Sequence, residues 1–239
     1  MGYIREQSLQ VKPCLPPTDR KAVLTNIKKI NMKVEKPEET EFERKTLENG
    51  TYGARIYSVI DRGTQLQREM INGEWKDKIV RDFKTKEPVL DPAGKTQLVY
   101  RREIDVSFEL PSELITYEKD GEDVTFPMSV HKNYIISLHE KANLTSLAVA
   151  CGIDIDNFDT DLLAGKEVLV TIGKTSGGKD KITDTVALPK GMEIGKAVNK
   201  IKIFSLDEFD QDVFDLLPEW QREDINKSQQ RAAGGTDTV

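Results

Sequence analysis

A single helix pattern among five strand patterns is the feature of this sequence that most restricts its fold. The helix pattern covers about residues 138–151, where apolar residues recur on one face and Ser137 with Glu140 forms a capping-box motif. The strand patterns are short, rich in β-branched and aromatic residues, and bounded by turn residues. They cover Thr51–Ile60, Arg102–Leu110, Met128–Leu138, Val168–Ile172 and Lys181–Leu188. The helix pattern therefore lies between the third and fourth strand patterns.

This order of elements predicts a mainly β fold of the OB class. An OB fold is a five-stranded barrel with one helix between strands 3 and 4. It binds oligonucleotides or oligosaccharides across strands 2 and 3 and the loops that join strands 1–2 and 4–5. In this chain a long insertion, residues 61–101, separates strands 1 and 2, and it is polar and interrupted by Gly and Pro. Gly177 and Gly178 predict a hairpin between strands 4 and 5.

Composition divides the 239 residues into three predicted parts. Residues 1–48 are rich in Pro, Lys and Glu and predict a flexible N-terminal arm. Residues 49–203 hold the strand and helix patterns and predict the OB-fold domain. Residues 204–239 predict an acidic C-terminal segment, with a disordered end at residues 227–239. No apolar run has the length of a membrane span, and the N-terminus lacks the pattern of a signal peptide, so we expect a soluble protein without membrane contact.

The net charge of −6 hides a strong segregation of charge along the chain. Residues 49–103 hold eleven Lys and Arg against eight Asp and Glu, and residues 166–203 hold eight against four. The last 36 residues hold three basic residues against nine acidic ones. Two basic zones beside an acidic segment favour a chain that binds a polyanion and contacts other proteins. A solvated surface without a function gives the same counts.

The sequence lacks the patterns of the common enzyme, metal and cofactor sites. Cys14 and Cys151 are too few and too far apart for a disulfide framework or a zinc–thiolate site. The run at 173–175, Gly-Lys-Thr, lacks the first glycine of a phosphate-binding loop, because position 168 is Val. The aspartates at 154–161 depart from the spacing of a calcium loop. We therefore expect no catalytic residue, no metal and no cofactor.

Basic side chains interleaved with aromatic rings mark the predicted binding groove. Single-stranded nucleic acid needs cations along its phosphates and flat rings that stack on its bases without sequence preference. The insertion would form one wall of the groove, the hairpin of strands 4 and 5 the other, and strands 1 and 3 the floor. The predicted ssDNA-binding residues are Arg55, Tyr57, Arg62, Trp75, Lys76, Lys78, Arg81, Arg101, Arg102, Lys132, Tyr134, Lys174, Lys179 and Lys181. Taken singly, each of these residues is also compatible with packing or a solvated surface.

The acidic C-terminal segment has apolar residues at near-helical spacing, interrupted by Pro218. Acidic stretches with apolar anchors can imitate nucleic acid in a basic groove, and they can dock on basic surfaces of other proteins. The predicted partner-binding residues are Phe209, Asp212, Phe214, Leu217 and Trp220. A helix that packs on the barrel gives the same pattern.

Five collinear runs give the chain a resemblance to a known family. These runs are NGTYGARIYSVIDRGTQ, REIDVSFELP, YIISLHEKANL, ALPKGM and FDLLPEW, and the similarity spans residues 49–225. Together they resemble the OB-fold single-stranded DNA-binding replication proteins of tailed bacteriophages. The resemblance implies a protein that coats single strands in phage replication or recombination, in the cytoplasm of the bacterial host, and contacts replication or recombination proteins through its acidic region. Those proteins often end at the acidic motif, whereas here about fifteen residues follow it.

The sequence thus predicts a non-enzymatic protein that binds single-stranded DNA without sequence preference. One alternative is a protein-interaction module, in which an OB-like barrel and the acidic helix recruit replication partners; a nearly neutral body favours it, since many nonspecific DNA-binding proteins are basic. A nuclease is the second alternative, although the sequence shows no carboxylate–histidine constellation for it. Homo-oligomerisation stays open.

Overall fold

A computed structural model describes residues 46–119 and 121–234 of the chain. The strands are β1 (Gly50–Leu66), β2 (Arg68–Ile71), β3 (Glu74–Asp77), β4 (Tyr100–Lys119), β5 (Glu122–Ile135), β6 (Glu167–Lys174), β7 (Asp180–Ala187) and β8 (Lys202–Phe204). The helices are α1 (Asn143–Ala150), α2 (Gln211–Asp215), α3 (Glu219–Asn226) and α4 (Gln229–Gly234). Two short 3-10 turns, Ile155–Asn157 and Thr160–Leu163, follow α1. The predicted N-terminal arm, residues 1–48, lies outside the described residues apart from 46–48.

Six strands form one sheet, in which β5, β4, β1, β6 and β7 are hydrogen-bonded in that order and each neighbour is antiparallel. The sixth strand, β8, pairs with β1 in parallel. The prediction of a mainly β chain is confirmed. The predicted five-stranded barrel is not closed among the described strands, because the hydrogen-bonded path ends at β5 and at β7 and does not join them.

The inner face of this sheet carries the main core. On β4, Ile104, Val106, Phe108 and Leu110 alternate with polar residues and are fully or almost fully buried, as a period of two requires. Leu144 and Leu147 of α1 join the same core, and α1 contacts both β5 and β7. The single predicted helix therefore covers the open end between the two outermost strands.

The outer face of the sheet carries a second core, built by the C-terminal segment. Phe204, Phe214, Leu217 and Ile225 pack with Ile60 of β1. The prediction of a disordered end is wrong for residues 227–234, because Ser228 is fully buried and α4 follows it. The remaining residues, 235–239, lie outside the described part of the chain.

Helix α1 begins later than its sequence pattern predicts. Its N-cap is Ala142, which makes no capping hydrogen bond through its side chain. The predicted cap, Ser137, instead accepts a hydrogen bond from the backbone of His139, whose ring accepts one from the backbone of Lys141. These local bonds form a turn between β5 and α1, so the capping box does not form.

The predicted insertion is partly sheet and partly a separate stretch, residues 67–99, which we call the projecting arm. Strands β1 and β4 extend into it up to Leu66 and from Tyr100, and β2 pairs with β3 as a small hairpin beyond them. Four large apolar side chains of this arm are exposed, namely Met70, Trp75, Phe83 and Leu90, and none of its other side chains is buried. Among the described residues the arm thus has no buried core of its own. No helix of the described residues is long and apolar enough to cross a membrane.

Candidate nucleic-acid interface

Arg55, a predicted DNA contact, is bound within the protein. Its Nε donates to Glu109 Oε1 at 2.5 Å, and its Nη2 donates to the carbonyl of Asn199 at 2.5 Å. Although burial favours the neutral acid, hydrogen bonds from Arg55 and Asn199 hold the pKa of Glu109 below its ordinary value. Only 11% of the Arg55 side chain is exposed. The prediction that Arg55 binds DNA is therefore corrected: it neutralises a buried carboxylate.

Arg62 is likewise bound to acids of the protein itself. It donates to Glu103 at 2.9 Å and to Asp224 of α3 at 2.5 Å. These pairs join the C-terminal segment to the sheet. Because 11% of its side chain is exposed, Arg62 is not free to contact a phosphate without breaking them.

Arg102 forms a third pairing of this kind. Its guanidinium donates to Asp61 at 2.5 Å and to Asp207 at 2.7 Å. The hydrogen bond to Asp61 raises the pKa of Arg102 despite partial burial. The sequence patterns could not reveal these pairings, because the acids lie 41 and 105 residues away in the chain.

Tyr134 is also removed from the predicted groove. Its side chain points into the inner core and is 1% exposed, because it lies on the inward-facing positions of β5. Burial raises the pKa of Tyr134 to about 12. Its ring therefore packs the core and cannot stack on a base.

A second group of predicted cations lies at the junction of β5 and β7. Lys132 lies over the Tyr134 ring, 5.2 Å from its centroid, and is near Lys181. Burial, followed by the charge of Lys181, lowers the pKa of Lys132. Lys174 bonds to Asp180, at 2.5 Å, and to a backbone carbonyl. Lys179 is exposed in the turn between β6 and β7.

The outer face of β5 is where the structure leaves an open groove. His131, Asn133 and Ile135 point outward in succession and are all exposed. They face outward on the same side as the second core, which packs on Ile60 of β1, while α3 bonds to Asp105 of β4 and contacts β5 through Trp220 at His131. We call the open surface along these three residues, with the clefts beside it, the β5 groove.

One end of the β5 groove presents aromatic rings. Trp220 of α3 packs against His131, with ring centroids 5.7 Å apart and planes inclined by 35°. The adjoining cleft, of about 170 Å³, is also lined by Tyr57 and Lys202. Trp220 is held there because Gln221, the next residue, donates to the buried carboxylate of Asp105 at 2.7 Å. This end can therefore offer a ring to a flat, unpaired base.

The other end of the β5 groove presents cations. A cleft of about 650 Å³ is lined by Arg101, Asn133, Ile135, His139 and Lys141 among others. It shares Arg101 and Ile135 with a further cleft of about 720 Å³ beneath the projecting arm. The cleft continues the groove in the direction of the arm.

The cleft beneath the arm adds two predicted cations, Lys78 and Arg81, and the ring of Tyr100. The ion pairs found among residues 46–119 and 121–234 do not include Lys78, Arg81, Arg101, Lys141 or Lys202. Glu69 is the one acidic residue that lines these three clefts. The groove therefore has an excess of positive charge.

The structure leaves two predicted residues of the arm outside the groove. Trp75 is 60% exposed on the β2–β3 hairpin, opposite Met70, and lines none of the three clefts. Lys76 lies near Glu74, at 3.5 Å. The sequence reasoning missed Asn133, Ile135 and Lys141, although the outward positions of the β5 alternation could have indicated the first two.

The predicted partner-binding residues of the acidic segment mostly face inward. Phe214 and Leu217 are 7% and 3% exposed in the second core, so the prediction that they bind a partner is corrected. Phe209 packs edge-on against Phe204, and Arg231 lies over its ring, 4.6 Å from the centroid. Asp212 is exposed, and Trp220 belongs to the β5 groove.

Cys151, the one cysteine in the described residues, has a largely buried side chain, and burial raises the pKa of its thiol to about 12. Within residues 46–119 and 121–234, no three His, Cys, Asp or Glu side chains are grouped so that they could hold a metal ion. A scan against family models, a search of curated proteins and a search of solved structures found no match to this chain.

Proposed function

We propose that this chain is an OB-fold protein that binds single-stranded DNA without sequence preference. The OB assignment is supported by the strand order β5–β4–β1–β6–β7 and by the position of α1 between β5 and β6. In this proposal the gap between β5 and β7 is the seam of the barrel. Lys132 and Lys181 lie close to one another there, and α1 contacts both strands.

The observation that carries the proposal is the β5 groove, which combines rings and unpaired cations on an open strand face. The rings of Trp220 and His131 lie beside one end and Arg101 beside the other. His131 and Ile135 are four residues apart, which is about 13 Å along a strand. A nucleic acid strand along β5 would stack a base on Trp220 and pass its phosphates near Arg101.

The same groove favours a single strand over a duplex. A ring that stands beside a sheet accepts the face of a base only when that base is unpaired and unstacked. Rings that stack on base faces and cations that follow phosphates carry no sequence information, so we expect little sequence preference. The role in phage replication or recombination, the bacterial cytoplasm and the contacts with replication proteins are proposed on the resemblance alone.

Fluorescence anisotropy of a labelled oligo-dT, titrated with the full chain at low and at physiological salt, tests the function. We expect binding that weakens with salt, because bound phosphates release counterions, and that unlabelled single strands compete away but duplex does not. Arg101→Ala with Lys141→Ala should lower the affinity and flatten the salt dependence. The matched control, Lys190→Ala with Lys200→Ala, removes two exposed cations that line none of the three clefts.

Absence of binding at low salt would contradict the proposal and favour the protein-interaction module. Binding that both double variants weaken equally would contradict the assignment to the β5 groove while leaving the function in place.

A further inference from the structure

A second cleft, which adjoins the β5 groove and shares Ile136 with it, is acidic. It has a volume of about 400 Å³ and lies between the two 3-10 turns and residues 205–208. Its acidic lining includes Asp159, Asp161, Asp207 and Glu208, and its apolar lining includes Ile136 and Leu138. We call it the acidic cleft.

The negative charge of the acidic cleft is not neutralised by the fold around it. Arg102 is the basic residue that lines it, and Asp61 and Asp207 already bind its guanidinium. In the described part of the chain, Asp159, Asp161 and Glu208 take part in no ion pair. Three like charges thus face a common space, where a cation would relieve their repulsion.

Apolar side chains are exposed inside this ring of acids. Ile136 is 37% exposed and Leu138 is 44% exposed, and both line the cleft. A ligand that fits must therefore bring positive charge to the rim and apolar groups to the floor. A basic peptide with apolar side chains has this chemistry.

The chain itself contains such a peptide, in residues 20–34. Its sequence, RKAVLTNIKKINMKV, has five basic residues, seven apolar residues and no acid. Its positive charges complement the acids of the cleft, and its apolar side chains complement the exposed Ile136 and Leu138. We propose that residues 20–34 of one copy dock in the acidic cleft of a second copy.

Chain length favours a second copy over the same chain. Residues 35–45, the eleven residues between the segment and the described fold, span at most about 40 Å when fully extended. The cleft lies beside Asp61, whereas β1 begins at Gly50, and those eleven steps amount to at most about 36 Å along a straight strand. Docking within one chain has to bridge this separation with those eleven residues, whereas docking on a neighbour does not.

Such docking joins two different surfaces, so it is a head-to-tail contact that can continue from copy to copy. It shares Ile136 with the cleft at one end of the β5 groove, and it needs no nucleic acid. The proposal therefore does not depend on the proposed function.

Sedimentation velocity of the full chain without nucleic acid, at several concentrations and at low and high salt, tests the proposal. We expect the mass to rise with concentration at low salt and to fall towards the monomer at high salt. Lys28→Glu with Lys29→Glu should raise the dissociation constant by about tenfold or more, and so should Asp161→Lys with Glu208→Lys. The control, Glu118→Lys with Asp123→Lys, makes the same charge change on the exposed β4–β5 hairpin and should associate as the unmodified chain does.

A mixture of the two double variants provides the decisive test. The first variant keeps an intact acidic cleft and the second keeps an intact basic segment, so the mixture should associate although each variant alone stays monomeric. A chain that stays monomeric at every concentration, or variants that associate unchanged, would overturn the proposal. The Lys28 and Lys29 changes lie outside the described fold, so they test the contact even if the cleft variant is unstable.

Discussion

Two neighbouring strands, β4 and β5, present opposite kinds of surface on the same side of the sheet. The outward side chains of β4 include Glu103, Asp105 and Glu109, and each has a partner from elsewhere in the chain. Those of β5 include His131 and Asn133, which lie directly across from β4 in the sheet but remain exposed. These outward side chains of β4, which we call the covered row, are therefore bound within the protein. The two of β5, which we call the open row, are exposed.

The difference shows that the arginines nearest to a groove need not belong to it. A row of carboxylates repels phosphates unless it is neutralised, and Arg55 and Arg62 are used for this purpose. The outward row of β5 carries no carboxylate, and its Asn133 amide can bond to Asp105 and Arg62. The cations beside it, Arg101 and Lys141, therefore stay available to a ligand.

The largest effect is expected where the covered row is broken. Arg55→Ala leaves the fully buried Glu109 carboxylate without its charged partner, and we expect the free energy of unfolding to fall by about 3–5 kcal/mol. Urea denaturation measures it. Arg68→Ala is the matched control, because its pair with Asp77 is exposed on both sides and should contribute about 0–1 kcal/mol. Equal losses in the two variants would show that the Arg55 pair is not a buried support of the fold.

The open row should respond in the opposite way, with a loss of binding and little loss of stability. Trp220→Ala removes the ring beside His131, and we expect oligo-dT binding to weaken by about 1–3 kcal/mol, which is about 5- to 150-fold in the dissociation constant. Fluorescence anisotropy measures it, with thermal unfolding as a check on the fold. Trp75→Ala, which lies outside the clefts, should leave the affinity unchanged. A larger loss of affinity in Trp75→Ala than in Trp220→Ala would place the binding surface on the projecting arm.

The smallest effect concerns the pH dependence of stability. It involves Asp105, a residue of the covered row that lies opposite Asn133 of β5. Burial raises the pKa of Asp105 above its ordinary value of 3.8, although the hydrogen bond from Gln221 opposes this shift. The protonated acid is therefore favoured in the folded chain. Its stabilising contribution is complete below the unfolded pKa and is lost as pH rises through the folded pKa.

Asp105→Asn cannot ionise, so we expect this variant to be more stable than the unmodified chain at pH 7 and to lose that advantage at about pH 3. Urea denaturation at the two pH values measures the difference. An advantage that is equal at both values would mean that ionisation of Asp105 does not limit stability.

Local patterns were sufficient to predict where most elements lie. The alternation from Ile104 to Leu110 predicts a strand with one buried face, and the structure has that strand and that face. The helix before Gly152 and the hairpin at Gly177 and Gly178 are present as well. These predictions succeed because burial on one face imposes a short period on the sequence itself.

The predictions of exposed, partner-binding side chains failed where segments that are distant in the sequence pack together. Phe214 and Leu217 were interpreted as anchors for a partner, but the chain provides its own apolar surface for them, next to Ile60. Likewise, the sequence alone cannot show that Ser228 is buried, since its neighbours are polar and resemble a disordered tail. An amphipathic pattern states that a face is covered and not what covers it.

The sequence by itself determined the strands, the single helix and the segregation of charge, because each depends on residues that are near in the chain. Only the tertiary structure decided which charges are free. Arg55 meets Glu109 across 54 residues and Arg62 meets Asp224 across 162, so their pairing depends on how the sheet and the C-terminal segment pack. Arg101 has no such partner among the described residues and stays available beside β5. A charge contributes to a binding surface only if folding leaves it unpaired, and pairing over such separations is a property of the packed fold.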